Sequence, residues 1–178
     1  MALTAPLFIP RVPPFFPPPA PRRRFVHIDR TRARNLMRDV GNGPLPEHVQ
    51  LVQAQTRERL RVFLAEAGFR HHRLYVLEVA SRHPRVKIGV SKEPYDRIAR
   101  HISEYNRWQH ALIRVHVTDP LPDRLTARRA EVQAHTWMDK HFTAPHSREE
   151  FMDGDYVFGK ICADTAVSVL TQDSDVRC

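Results

Sequence analysis

The sequence predicts a small α/β domain of the α+β kind: a central antiparallel sheet of three strands flanked by helices, with a helical extension before it and a proline-rich arm at the amino terminus. Three observations carry that prediction. Leu74 to Ala80 and Val86 to Val90 are apolar, β-branched runs joined by the polar link Ser81-Arg82-His83-Pro84-Arg85, the pattern of a hairpin. A helix start follows directly, with Ser91 as a cap, Glu93 in the first turn and Pro94 near the first helical position. Further on, Ala111, Ile113, Val115 and Val117 alternate with Arg114 and His116, the period of a third strand.

In chain order, Met1 to Arg24 stands apart. It has prolines at 6, 10, 13, 14, 17, 18, 19 and 21, phenylalanines at 8, 15 and 16, and ends in Arg22-Arg23-Arg24. That density of proline forbids helix and sheet and predicts an extended or disordered arm (1–24), suited to threading over a protein or nucleoprotein partner. The prolines and the lack of serine argue against an organelle presequence. A helical extension (25–72) comes next. Phe25 to Val40 reads as a short basic helix, broken by Gly41-Asn42-Gly43-Pro44. Glu47 to Ala67 is a clear helix between Pro46 and Gly68, with an apolar stripe of Val49, Val52, Leu60, Phe63, Leu64 and Ala67 flanked by Arg57, Arg59 and Arg61.

The main domain (73–170) begins with the hairpin. With a five-residue link, residues that oppose each other sum to an even number, so Tyr75, Leu77 and Val79 share a face with Lys87, Gly89 and Ser91. Gly89, lacking a side chain, leaves room for another group to approach the sheet. On the next helix Tyr95, Ile98, Ile102 and Tyr105 form the buried stripe, and Arg97 and His101, four apart, lie on one flank. After the third strand, Asp119-Pro120-Leu121-Pro122-Asp123 turns the chain into a helix from Leu125 to Phe142, with Ala127, Ala130, Ala134, Trp137 and Met138 toward the sheet. Thr143 to Gly154 reads as a polar loop, Tyr156 to Phe158 as a short strand, Ala163 to Leu170 as a closing helix, and 171–178 as a tail.

The 178 residues carry a formal net charge of +8, rich in arginine, which favours a nucleic-acid partner. No run reaches membrane-spanning length. Cys162 and Cys178 show no metal-ligand or CxxC spacing and read as reduced thiols, which fits an intracellular, reducing compartment, cytoplasm or nucleus.

Between Arg73 and Ala166 the order of these elements resembles the GIY-YIG nuclease superfamily, in the branch whose second motif is Lys-Ile-Gly. Leu74-Tyr75-Val76 stands for the first motif, with Arg73-Leu74 where the family has its glycine, and Lys87-Ile88-Gly89 stands for the second. Arg97 and His101 match the helix pair, Glu131 the metal ligand, and Gly154-Asp155-Tyr156-Val157-Phe158 the late strand. The resemblance implies a metal-dependent endonuclease acting on DNA. Tyr75 would be the base, its phenol needing a cationic neighbour, which Lys87 would supply. Arg97 would hold the scissile phosphate, His101 would position or relay protons, and Glu131 would bind one hard divalent ion, Mg²⁺ in the first instance. Taken singly, Arg97 and Glu131 read more simply as an ion pair between two helices. His135, four after Glu131, shares its helix face. The alternative reading is a nucleic-acid-binding or structural subunit of a nucleoprotein assembly that keeps the fold without the catalysis.

Overall fold

The computed structural model describes residues 29–40, 43–68, 70–142 and 149–175; the arm from Met1 to Arg24 lies outside the described residues. Among them, five helices surround a four-stranded antiparallel sheet of order β3-β1-β2-β4. The elements are α1 (Arg30–Arg38), α2 (Glu47–Ala67), β1 (Arg73–Ala80), β2 (Arg85–Ser91), α3 (Pro94–Arg107), β3 (Ala111–Val117), α4 (Arg124–Asp139), β4 (Glu150–Met152) and α5 (Tyr156–Asp175).

The hairpin has the expected parity: Tyr75 pairs with Gly89 and Leu77 with Lys87. β1 is the inner strand of the three longer ones, and all eight of its residues are buried, because a strand covered on both faces has no solvent side to alternate toward. On one face Tyr75, Leu77 and Val79 pack with Ile98, Ile102 and Tyr105 of α3 and Leu60 and Leu64 of α2. On the other face Leu74, Val76, Val86 and Ile88 meet the small residues Ala127, Ala130 and Ala134 of α4 and Ala163 and Ala166 of α5, which let both helices approach closely. Cys162 is a buried free thiol in that layer.

The helical extension is tied to the outer edge of β3. Gln53 Oε1 accepts from the Leu112 amide at 2.9 Å, and Thr56 Oγ1 donates to the Ile113 carbonyl at 3.1 Å, so α2 satisfies backbone groups that an edge strand would leave open. Phe63, assigned to the buried stripe of α2, is 41 % exposed, and Gln53 and Thr56 occupy the buried positions instead. α1 docks through Arg34, whose Nε lies 2.9 Å from the Glu78 carboxylate of β1, a group that Arg114 also holds. Arg73 donates to the Thr118 carbonyl at 2.8 Å and the Ala67 carbonyl at 2.6 Å, fastening the end of α2 to the start of β1.

Two expectations are corrected. A fourth strand, Glu150–Met152, lies within the stretch read as loop and pairs with Arg85, Val86 and Lys87. Tyr156 to Phe158 is not a strand but the first turn of α5, because Asp155 accepts from the Phe158 amide at 2.8 Å and caps the helix there. α5 therefore starts before Ala163 and continues beyond Leu170 to Asp175. The other bounds differ by a few residues: α1 occupies Arg30–Arg38, and α4 ends at Asp139 rather than Phe142. No helix of the described residues is long and apolar enough to cross a membrane.

Candidate functional site

Tyr75 organises the site. It is 1 % exposed, and its ring lies over its cross-strand partner Gly89. A Cβ at position 89 would overlap the hydroxyl and stand 2.6 Å from Cζ. The group that the bare backbone of Gly89 admits is thus the phenol of Tyr75 itself.

From α3, His101 presents Nε2 3.1 Å from the Tyr75 hydroxyl, and Arg97 lies close enough for its charge to act on the same group. The carboxylate of Glu104 favours the ring proton on Nδ1, so the neutral phenol donates its O–H to His101 Nε2. The imidazole then carries its proton on Nδ1, which faces Glu104 Oε2 at 3.8 Å. Burial, with the nearby charges of Lys87 and Arg97, pushes His101 down to about 4, so the ring is neutral at physiological pH. Burial pushes the Tyr75 phenol up to about 12; Arg97 opposes the rise, and Glu149 and Glu131 add to it. Arg97 is itself raised, chiefly by the nearby Tyr75.

Lys87 sits on the expected face and is 6 % exposed, but its charge is engaged elsewhere. Nζ donates to Glu149 Oε2 at 2.8 Å and lies 3.8 Å from Glu150 Oε1. Burial would raise the Glu149 carboxyl, yet the Lys87 hydrogen bond and charge outweigh it and hold the group below its ordinary range. The cation that acts on the phenol is Arg97, not Lys87.

Glu131 comes from α4, on the opposite layer, and is 2 % exposed. One turn further on, His135 Nε2 lies 3.1 Å from the Ile88 carbonyl, a group on the outer side of β2. His135 is thereby occupied with the strand, and Glu131 lies one turn earlier on the same helix face. Glu131 pairs with Arg128 of its own helix, a side chain 63 % exposed, rather than with Arg97 across the site. Tyr75 and His101 are in direct contact, while Arg97, Lys87 and Glu131 are close enough for their charges to act on one or both of them. No cluster of three or more His, Cys, Asp or Glu residues suited to a metal ion occurs among the described residues.

Sequence reasoning missed Glu149 and Glu104. Glu104 carries a local signal, three residues after His101 on α3. Glu149 has none, because only the pairing of β4 brings it to Lys87. No protein-family model, curated protein or solved structure matches this chain.

Proposed function

We propose that this chain is a metal-dependent endonuclease of the GIY-YIG type that hydrolyses phosphodiester bonds in DNA. The observation that carries the reading is a hydrogen bond on one phenol, His101 Nε2 3.1 Å from the Tyr75 hydroxyl, with the charge of Arg97 acting on the same group. Phosphodiester hydrolysis needs a base for the attacking water and positive charge for the phosphoryl oxygens. A neutral imidazole behind the phenol meets the first need: as the phenolic oxygen takes a proton from water, its own proton passes to His101 Nε2, and no free phenolate has to form. Arg97, an exposed residue on the flank of α3, meets the second with a guanidinium fork free to bind two phosphate oxygens on its outer side.

The resemblance assigns the metal to Glu131, and the donor chemistry fits. Mg²⁺ keeps most of its waters and needs only one or two carboxylates beside substrate phosphate, so a site without a three-residue cluster suits it. Arg128, the partner of Glu131, is mostly in solvent, and a bound cation would take its place beside the buried carboxylate. When bound, the ion supplies charge neutralisation at the phosphate and its departing oxygen.

The second reading, a nucleic-acid-binding or structural subunit, is favoured by one observation: the phenol is pushed up to about 12 while Lys87 is held by Glu149. A nicking assay on supercoiled plasmid, titrated with Mg²⁺ and Mn²⁺, separates the two. Metal-dependent nicking that Glu131→Ala abolishes without loss of DNA binding supports the nuclease. Arg97→Ala should weaken both binding and cleavage. DNA retention without nicking at any metal concentration establishes the second reading. Wild-type nicking by Glu131→Ala removes Glu131 from the site.

A further inference from the structure

Trp108 is 71 % exposed, the most open large apolar side chain of the described residues. It closes α3, and its amide bonds to the Tyr105 carbonyl at 3.0 Å, so it continues the helical path. Arg97, His101, Glu104 and Trp108 follow at intervals of four, three and four, and therefore form one row along a single flank of α3. At 1.5 Å per residue, the row runs about 16 Å from the arginine near the Tyr75 phenol to the indole. Beside it lies a shallow depression of ≈ 600 Å³ bordered by Arg57 of α2, by Arg100, Glu104 and Arg107 of α3, and by Trp108 just after α3. Three arginines meet one glutamate there, and none of the three is in an ion pair among the described residues.

We propose that this flank of α3 binds an unpaired stretch of the nucleic-acid strand held at Arg97, with one base stacked on Trp108 and its phosphates on Arg100 and Arg107. The composition of the surface selects that ligand. Unpaired arginines in a depression complement a polyanion. An isolated indole with a free face is a stacking platform, and it discriminates between strand types: a duplex offers base edges in its grooves, whereas only an unpaired base offers its face. Lipid or a generic apolar partner would call for neighbouring apolar groups, and the surroundings of Trp108 here are charged. The inference rests on the nuclease reading only for setting the scissile phosphate at Arg97.

The test is fluorescence anisotropy with the full chain in chelator, using a labelled single strand, a duplex with splayed ends and a blunt duplex. Trp108→Ala should weaken the single strand and the splayed duplex about tenfold, by loss of one base stack, and the blunt duplex less than twofold. Trp108→Phe should restore most of the loss, and Arg107→Ala should lower affinity for every form and flatten its salt dependence. Trp108→Ala binding the single strand as tightly as wild type, or losing affinity equally for blunt duplex, overturns the proposal. Because no metal is present, a chain that shows the Trp108 effect but never nicks plasmid overturns only the catalytic reading. One that nicks without a Trp108 effect overturns only this inference.

Discussion

The hydroxyl of Tyr75 occupies the space that a Cβ of Gly89 would fill, so the two residues are a single unit across the β1–β2 ladder. The glycine is required by its partner's ring, since its backbone is ordinary strand. Gly89→Ala should therefore destabilise the fold by about 1–3 kcal/mol, the cost of overpacking a buried contact. In a Tyr75→Val background the same change should cost less than about 1 kcal/mol, and the difference is the coupling that a double-mutant cycle in urea reads. Equal costs in both backgrounds would show that the ring is not what excludes the side chain.

His101 makes stability depend on pH with a definite sign. Its folded value is about 4, against roughly 6.5 in an unfolded chain. Between those values the unfolded state binds the extra proton, so stability rises with pH across that window and is lost as pH falls from about 6.5 to about 4. That difference corresponds to about 3 kcal/mol. His110, also lowered by burial, acts in the same direction. Urea midpoints measured from pH 7 to pH 4 should fall less steeply for His101→Gln than for wild type, and in the folded wild-type protein the His101 ring signal in NMR should stay neutral at pH 5.5.

Lys87 is a fastening of β4. Its Nζ bonds Glu149, which is 40 % open, and it faces Glu150 on the strand itself. Lys87→Met should cost about 1–2 kcal/mol, reduced from the buried-pair range because one partner is solvated. The loss should be local. Hydrogen exchange at Ile88, whose amide donates to the Glu149 carbonyl at 3.0 Å, should quicken more than exchange in β1.

Gln53 and Thr56 hold the edge of β3. Replacing either by a residue unable to reach the Leu112 amide or Ile113 carbonyl, as in Gln53→Leu and Thr56→Val, leaves a buried backbone group without its partner. Each should cost about 1–2 kcal/mol in equilibrium unfolding, whereas the exposed neighbour Arg57→Ala should change stability by less than about 0.5 kcal/mol.

Much of the site follows from two periodicities. A strand repeats every two residues, which set Tyr75, Lys87 and Gly89 on one face before any contact was known. A helix repeats every 3.6, which aligned Arg97 with His101 and made Ile98, Ile102 and Tyr105 the buried side of α3. Both are properties of neighbouring residues and need no partner to be read. What lay beyond them depended on contacts between distant segments. The stretch from Tyr156 to Phe158 has strand composition, yet the Asp155 cap and packing against the sheet made it helix, while the strand β2 lacked came from Glu150–Met152. That pairing took the charge of Lys87 for Glu149 and left Arg97 as the cation acting on the phenol. The burial of Glu131 to 2 % likewise depends on α4 lying across the opposite face of the sheet. Local pattern places side chains on faces; only the packing of layers decides which charges meet and which are desolvated, because both effects act through space between residues far apart in sequence.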